Sequence, residues 1–276
     1  MSRKSTLLFL ALAFTSNIVL AQGKRLNYDL ENPDEKFKLP EYLSEVSGLT
    51  YYGEDRLAML NDETGSMFVF NVDLNEMSQR VRFKGNGDFE GIERIGDYIY
   101  AIESKGSLFK FKVNMEGVVE KIETPFKKSN NVEGLGYDPF KNQLLFGLKD
   151  SGDVGNFDVK GRAIYSYDMD TETFNEAPSF VILKKDLERV VGKDFRFKPS
   201  GLAVHPRTGE LYVLSANDRA IIVFNADGSP KNLTRLKRKN FPQPEGIAFF
   251  PDGTLFISNE VEDEGGTILK FNERDL

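Results

Sequence analysis

The sequence predicts an all-β fold, a five-bladed β-propeller of four-stranded blades whose ring is closed by an N-terminal strand. Three observations predict it. Five related segments, each with a Ser-Gly or Glu-Gly step followed by an apolar residue, recur with glycines at 48, 91, 134, 201 and 246. Their spacings of 43, 43, 67 and 45 residues match the size of a propeller blade. Between them run short apolar stretches separated by Gly, Pro, Asn and Asp turns, in a chain with 23 Phe and 10 Tyr; aromatic rings suit a pleated surface.

Residues 1–21 read as a signal peptide. Arg3 and Lys4 form a basic start, an apolar run covers 7–14, and Val19, Leu20 and Ala21 suit cleavage before Gln22. Thr15, Ser16 and Asn17 interrupt the apolar stretch, which leaves it short for a spanning helix. The propeller domain is then 22–276, exported to the periplasm, the cell surface or the medium. No later segment is apolar enough to span a membrane, so no transmembrane segment is expected after cleavage. The chain has no cysteine, which excludes disulfides, thiol catalysis, thiolate metal sites and a lipid-attached N-terminus. Without residues 1–21 there are 34 basic and 43 acidic residues, a net charge of −9. That balance argues against nucleic acid or anionic lipid as partner and suits cations.

Each repeat reads as one blade. The first strand carries the Gly step, and a turn follows, such as Gly96-Asp97 or Pro251-Asp252-Gly253. Second strands are expected over 57–60, 98–102, 144–148, 211–214 and 255–257. Third strands, rich in Phe, Ile and Val, are expected over 67–71, 108–111, 164–167, 221–224 and 268–271. Segments such as 79–84 and 118–123 supply outer strands. The 67-residue spacing holds two insertions, a Gly- and Asp-rich loop over 151–162 and a short helix over 183–191. The fifth unit ends after its third strand, and residues 25–30 are expected to complete it, tying both ends together.

The first strand of each blade lines the channel, and the residue before each glycine points toward it. Those residues are Ser47, Glu90, Glu133, Ser200 and Glu245. Three converging carboxylates repel, so either some hold protons or a cation neutralises them. With oxygen donors and no thiolate, that cation is expected to be calcium; magnesium keeps its waters. The turn after each second strand brings Asn61, Glu103, Lys149, Ser215 and Asn259 toward the axis. Of these, Asn61, Glu103 and Asn259 offer further oxygens. The alternative is that Glu-Gly closes blades, its carboxylate capping backbone amides.

The whole chain after residue 21 resembles the SdiA-regulated family of exported bacterial proteins. The resemblance is carried by Leu43-Ser44-Glu45-Val46-Ser47-Gly48-Leu49, Asp88-Phe89-Glu90-Gly91-Ile92 and Asn131-Val132-Glu133-Gly134-Leu135. Lys198-Pro199-Ser200-Gly201-Leu202, the stretch from His205 to Val213, and Gln243-Pro244-Glu245-Gly246-Ile247 extend it. It implies a five-bladed propeller similar to NHL-type repeats, with a calcium site, and no particular reaction. More remotely, the arrangement resembles six-bladed calcium-dependent lactonases of the gluconolactonase and paraoxonase type, where the metal polarises a carbonyl or activates water.

Other chemistry is sparse. The single histidine, His205, lies in a His-Pro step and reads as a rim turn residue; no Gly-x-Ser-x-Gly elbow accompanies it. The basic run over 231–239 reads as a solvated outer strand. Glu260, Glu262, Asp263 and Glu264 lack the spacing of a calcium loop, as do Asp150, Asp153 and Asp158. Three functions remain: a monomeric calcium-binding module for a small molecule, glycan or protein, a calcium-dependent lactonase- or phosphoesterase-like hydrolase, and a structural interaction scaffold without metal.

Overall fold

The computed structural model describes residues 26–114, 118–184, 197–261 and 265–274. The predicted signal peptide, nearly all of the predicted 183–191 helix, and Glu262, Asp263 and Glu264 lie outside them.

The chain forms five antiparallel sheets in sequence order. Blade 1 runs outward through Val46–Gly53, Arg56–Asn61, Thr64–Asn71 and Glu76–Arg82. Blade 2 consists of Phe89–Ile95, Tyr98–Glu103, Leu108–Lys112 and Glu120–Ile122. Blade 3 consists of Val132–Asp138, Gln143–Leu148 and Gly161–Asp168, its outer edge split between Thr173–Phe174 and Phe180–Leu183. Blade 4 consists of Gly201–Val204, Leu211–Ser215, Ala220–Phe224 and Pro230–Arg235. Blade 5 takes Pro244–Phe249, Leu255–Asn259 and Thr267–Phe271 from the C-terminal end and Glu35–Lys38 from the other.

Burial follows the blade boundaries. Five apolar clusters each straddle one pair of neighbouring blades; Leu60, Met67 and Phe83 of the blade 1 side, for example, meet Phe89, Ile92 and Phe109 of blade 2. Strands buried on both faces read as continuous apolar runs, which is why the second strands stand out in the sequence.

The repeat glycines set how closely the innermost strands approach. Gly48 adopts a left-handed φ of 47°, and a Cβ there would lie 2.9 Å from the Ile92 nitrogen. A Cβ on Gly91 would lie 2.7 Å from Cβ of Leu135 in the next blade. Only glycine fits such a contact. In four blades a register shift accompanies the approach, as between Phe89 and Gly91.

The N-terminal closure holds, with a correction to its residues. The strand that pairs antiparallel with Thr267–Phe271 is Glu35–Lys38, not 25–30. Leu26, Tyr28 and Leu30 are instead wedged into the apolar interface of blades 4 and 5. The Tyr28 hydroxyl donates to the Gly253 carbonyl at 2.7 Å and sits 3.1 Å from His205 Nε2. His205 does open the turn over 206–208, as expected, but it is a buried post there, 1% exposed. Its Nδ1 accepts the backbone N–H groups of Arg207 and Thr208 at 3.2 Å each. Burial, then Arg207, holds its pKa below the usual histidine value.

Candidate functional site at the channel mouth

The start of each innermost strand delivers its side chain to one end of the channel. Glu90, Glu133 and Glu245 converge there on a polar cavity of about 180 Å³. Among the described residues this cavity is lined by six acidic side chains, with Glu45, Asp62 and Glu260 joining the three, and one lysine, Lys149. Lys149 Nζ lies 2.6 Å from Glu133 Oε1, which also accepts Asn131 Nδ2 at 3.0 Å.

One ammonium among so many carboxylates leaves a strong negative field in a poorly solvated place. Burial, followed by Glu133, Asp88 and Glu245, pushes the Glu90 carboxyl far above its ordinary value. Burial and then Glu133 push Glu245 to about 8. Burial raises Glu133 as well, and Lys149 only partly offsets it. Lys149 is itself raised: burial opposes its charge, but Glu133, Glu245 and Glu90 outweigh that. Asp62 is raised to about 6 by burial and Glu45, and its Oδ1 is a buried oxygen with no hydrogen-bond donor.

The remaining predicted ring members do other things. The Ser47 hydroxyl donates to the Phe89 carbonyl at 2.6 Å and that of Ser200 to the Pro244 carbonyl at 2.8 Å. Each serine thus stitches its blade to the residue preceding a channel glutamate in the next blade. Glu103 is buried outside the cavity lining and is held by Lys84 at 2.8 Å and Lys105 at 3.0 Å. Burial would raise its pKa, but those two lysines outweigh it and keep it below the ordinary value. Asn61 and Asn259 are buried at the ends of their strands, and Asn259 Oδ1 has no donor. The structure therefore gathers Glu90, Glu133 and Glu245, and sets Asn61, Glu103 and Asn259 outside the cavity wall.

Beyond the glutamates the channel narrows to a void of about 10 Å³ walled by Leu49, Leu135, Leu202 and Ile247. A second cavity, of about 110 Å³, lies past this constriction and contains Glu93. Glu93 does not stand out in the sequence, because a strict period of two counted from Glu90 turns it to the opposite face. The register shift between Phe89 and Gly91 resets the alternation and brings it to the channel. Its carboxylate accepts the Thr50 hydroxyl, the Arg94 N–H at 2.9 Å and the Tyr137 N–H at 3.1 Å. Burial raises it to about 7 against those three hydrogen bonds.

The other charged segments are engaged locally. Asp150 pairs with Lys198 at 2.6 Å, and Asp153 accepts the Val159 N–H at 2.7 Å within the blade 3 loop. In the basic stretch, Lys231 pairs with Glu210 and Lys237 with Glu31. No helix among the described residues is long and apolar enough to cross a membrane.

Five blades around a channel with one acidic mouth and an aliphatic constriction define a β-propeller of the small, single-ring class. The chain belongs to the SdiA-regulated family, whose model matches residues 27–262. Solved structures share the fold at low identity. A glutaminyl cyclase of Myxococcus xanthus superposes with a TM-score of 0.61 at 14% identity, covering 87% of this chain and 95% of that one. A luciferin-regenerating enzyme superposes with a TM-score of 0.53 at 14% identity, again covering 87% and 95%. At such identities the likeness concerns the fold, and propellers host many functions.

Proposed function

We infer that this protein is an exported calcium-binding propeller, a binding module of the periplasm or cell surface whose ion is held at the acidic channel mouth. The observation that carries this reading is the imbalance of the cavity: Glu90, Glu133 and Glu245 face it with Lys149 as their one ammonium. The donor chemistry fits the ion. Every donor is a hard oxygen, the lining carries more carboxylates than the lysine can neutralise, and the orphaned Asp62 Oδ1 borders the same space. Among the described residues no three acidic or histidine side chains are already grouped as ligands of one ion. Binding therefore has to draw the carboxylates inward, in exchange for protons or for the lysine. Glu90, Glu133 and Glu245 would hold the ion; export rests on the pattern of residues 1–21.

Metal analysis of purified mature protein and thermal unfolding with calcium or chelator test this. Millimolar calcium is expected to raise the melting temperature by about 5 °C or more, as saturation of one site does in a domain of this size. Glu133→Gln is expected to remove most of that gain. A melting temperature indifferent to calcium and chelator, with no calcium in the protein, sinks the reading. A hydrolase reading is favoured by one observation, the 180 Å³ of space beside the carboxylates. It requires turnover in a panel of lactones and phosphoesters that Glu133→Gln abolishes.

A further inference from the structure

We propose that Lys149 is a tethered counter-ion that competes with the divalent cation for Glu133, and so sets the affinity and charge selectivity of the channel mouth. This rests on the calcium reading above. The first support is position. Lys149 directly follows the strand Gln143–Leu148, and its backbone N–H donates to the Asn131 carbonyl at 2.9 Å, which roots the side chain at the mouth. The corresponding positions of the other blades carry Asn61, Glu103, Ser215 and Asn259. The repeat thus places a cation here in one blade out of five.

The second support is contact. Lys149 Nζ meets Glu133 Oε1 at 2.6 Å and is also attracted by Glu245 and Glu90. A calcium ion on the same carboxylate would stand about 2.4 Å from its oxygen. Two cations would then share one carboxylate within about 5 Å, and that carboxylate is only 5% exposed to screening solvent. Both cannot keep full contact with Glu133.

The third support is reach. The side chain is 25% exposed on a flexible four-carbon stem, so it can swing toward solvent while its backbone stays bonded to Asn131. Selectivity follows. A monovalent ion brings no more charge than the ammonium it must displace, and the ammonium is already tethered beside its partner. A divalent ion brings twice the charge and wins the carboxylates. The lysine thereby holds the empty mouth together and filters sodium and potassium from it.

Calorimetric titration of calcium chloride into chelator-treated mature protein tests the competition, using wild type, Lys149→Gln and Lys149→Arg. Lys149→Gln is expected to bind calcium at least about tenfold more tightly, since close ion pairs in such settings couple by more than that factor. Sodium chloride is expected to weaken calcium binding more steeply in Lys149→Gln than in wild type. Lys149→Arg keeps the charge and should stay within a few-fold of wild type. Equal or weaker calcium affinity in Lys149→Gln overturns the proposal.

A second measurement uses unmodified protein and does not depend on the variant folding. Lysine acetylation by an activated ester, read by peptide mass spectrometry, should label Lys149 several-fold faster with calcium than with chelator, relative to exposed Lys112. Unchanged labelling in protein that binds calcium overturns the competition and leaves the calcium site standing. Absence of calcium binding in both wild type and Lys149→Gln overturns both.

Discussion

Glu90 and Glu93 stand on the same strand, three residues apart, at opposite mouths of one channel. Glu93 is built in: Thr50 of blade 1, the Arg94 N–H of its own blade and the Tyr137 N–H of blade 3 all donate to it. One carboxylate there ties three innermost strands together. Glu90 faces Glu133 and Glu245 across a cavity with a single lysine, and repulsion follows where Glu93 finds donors. Residue type and burial are shared; the number of donors per carboxylate is not. Surplus donors make a carboxylate structural, and a deficit of positive charge makes it available to a ligand.

The largest expected effect separates the two glutamates by sign. Glu93→Ala leaves the Thr50 hydroxyl and two backbone N–H groups without their acceptor. That should cost about 3 kcal/mol of unfolding free energy in chelator. Glu90→Gln removes a repelled carboxyl while keeping its shape, so stability in chelator should stay level or rise by about 1 kcal/mol. Urea unfolding of both variants reads the difference. Equal destabilisation would show Glu90 to be as structural as Glu93, and the comparison would collapse.

The next effect is pH dependence. The Glu93 carboxyl is raised from an ordinary value near 4.5 to about 7. A raised acid favours the fold most when both states are protonated, and that advantage is lost as pH rises through the folded value. Between about pH 4.5 and 7, on the order of 2 kcal/mol should disappear on account of this group, allowing for solvent at its mouth. Glu93→Gln should remove that part of the slope. The slope carried by Glu245, raised to about 8, should persist in the variant at higher pH. If wild type and Glu93→Gln have the same slope below pH 7, the carboxylate titrates as a solvated group.

The ring and its three glutamates were legible because glycine spacing, turn residues and apolar runs repeat in register, and each reports a local demand of the backbone. Partner choice was less legible. Leu26, Tyr28 and Leu30 alternate as a half-buried strand does, yet alternation says that every second side chain is covered and not by what. They cover an interface, while Glu35–Lys38 makes the hydrogen bonds of closure. Glu103 looks like one more channel acid until Lys84 arrives from the loop after blade 1 and Lys105 from its own turn. His205 lies in a turn by sequence, and Tyr28 of the N-terminal segment together with Phe249 of blade 5 buries it. In each case the missing information is a contact between segments far apart in the chain.

The smallest effect concerns the two ring positions where serine replaces glutamate. A hydroxyl on so short a side chain reaches the neighbouring strand only because the repeat glycines let the strands close up. Ser47→Ala and Ser200→Ala should each cost about 1 kcal/mol, the worth of one buried hydrogen bond. They lie at different interfaces, blades 1 to 2 and blades 4 to 5, and share no partner. Their costs should therefore add within about 0.5 kcal/mol in the double variant. Calcium affinity of the double variant should stay within about twofold of wild type, because both hydroxyls are already committed to the Phe89 and Pro244 carbonyls. A tenfold loss would instead make the serines ligands, and the channel mouth a five-membered donor ring instead of three glutamates held in place by two stitches.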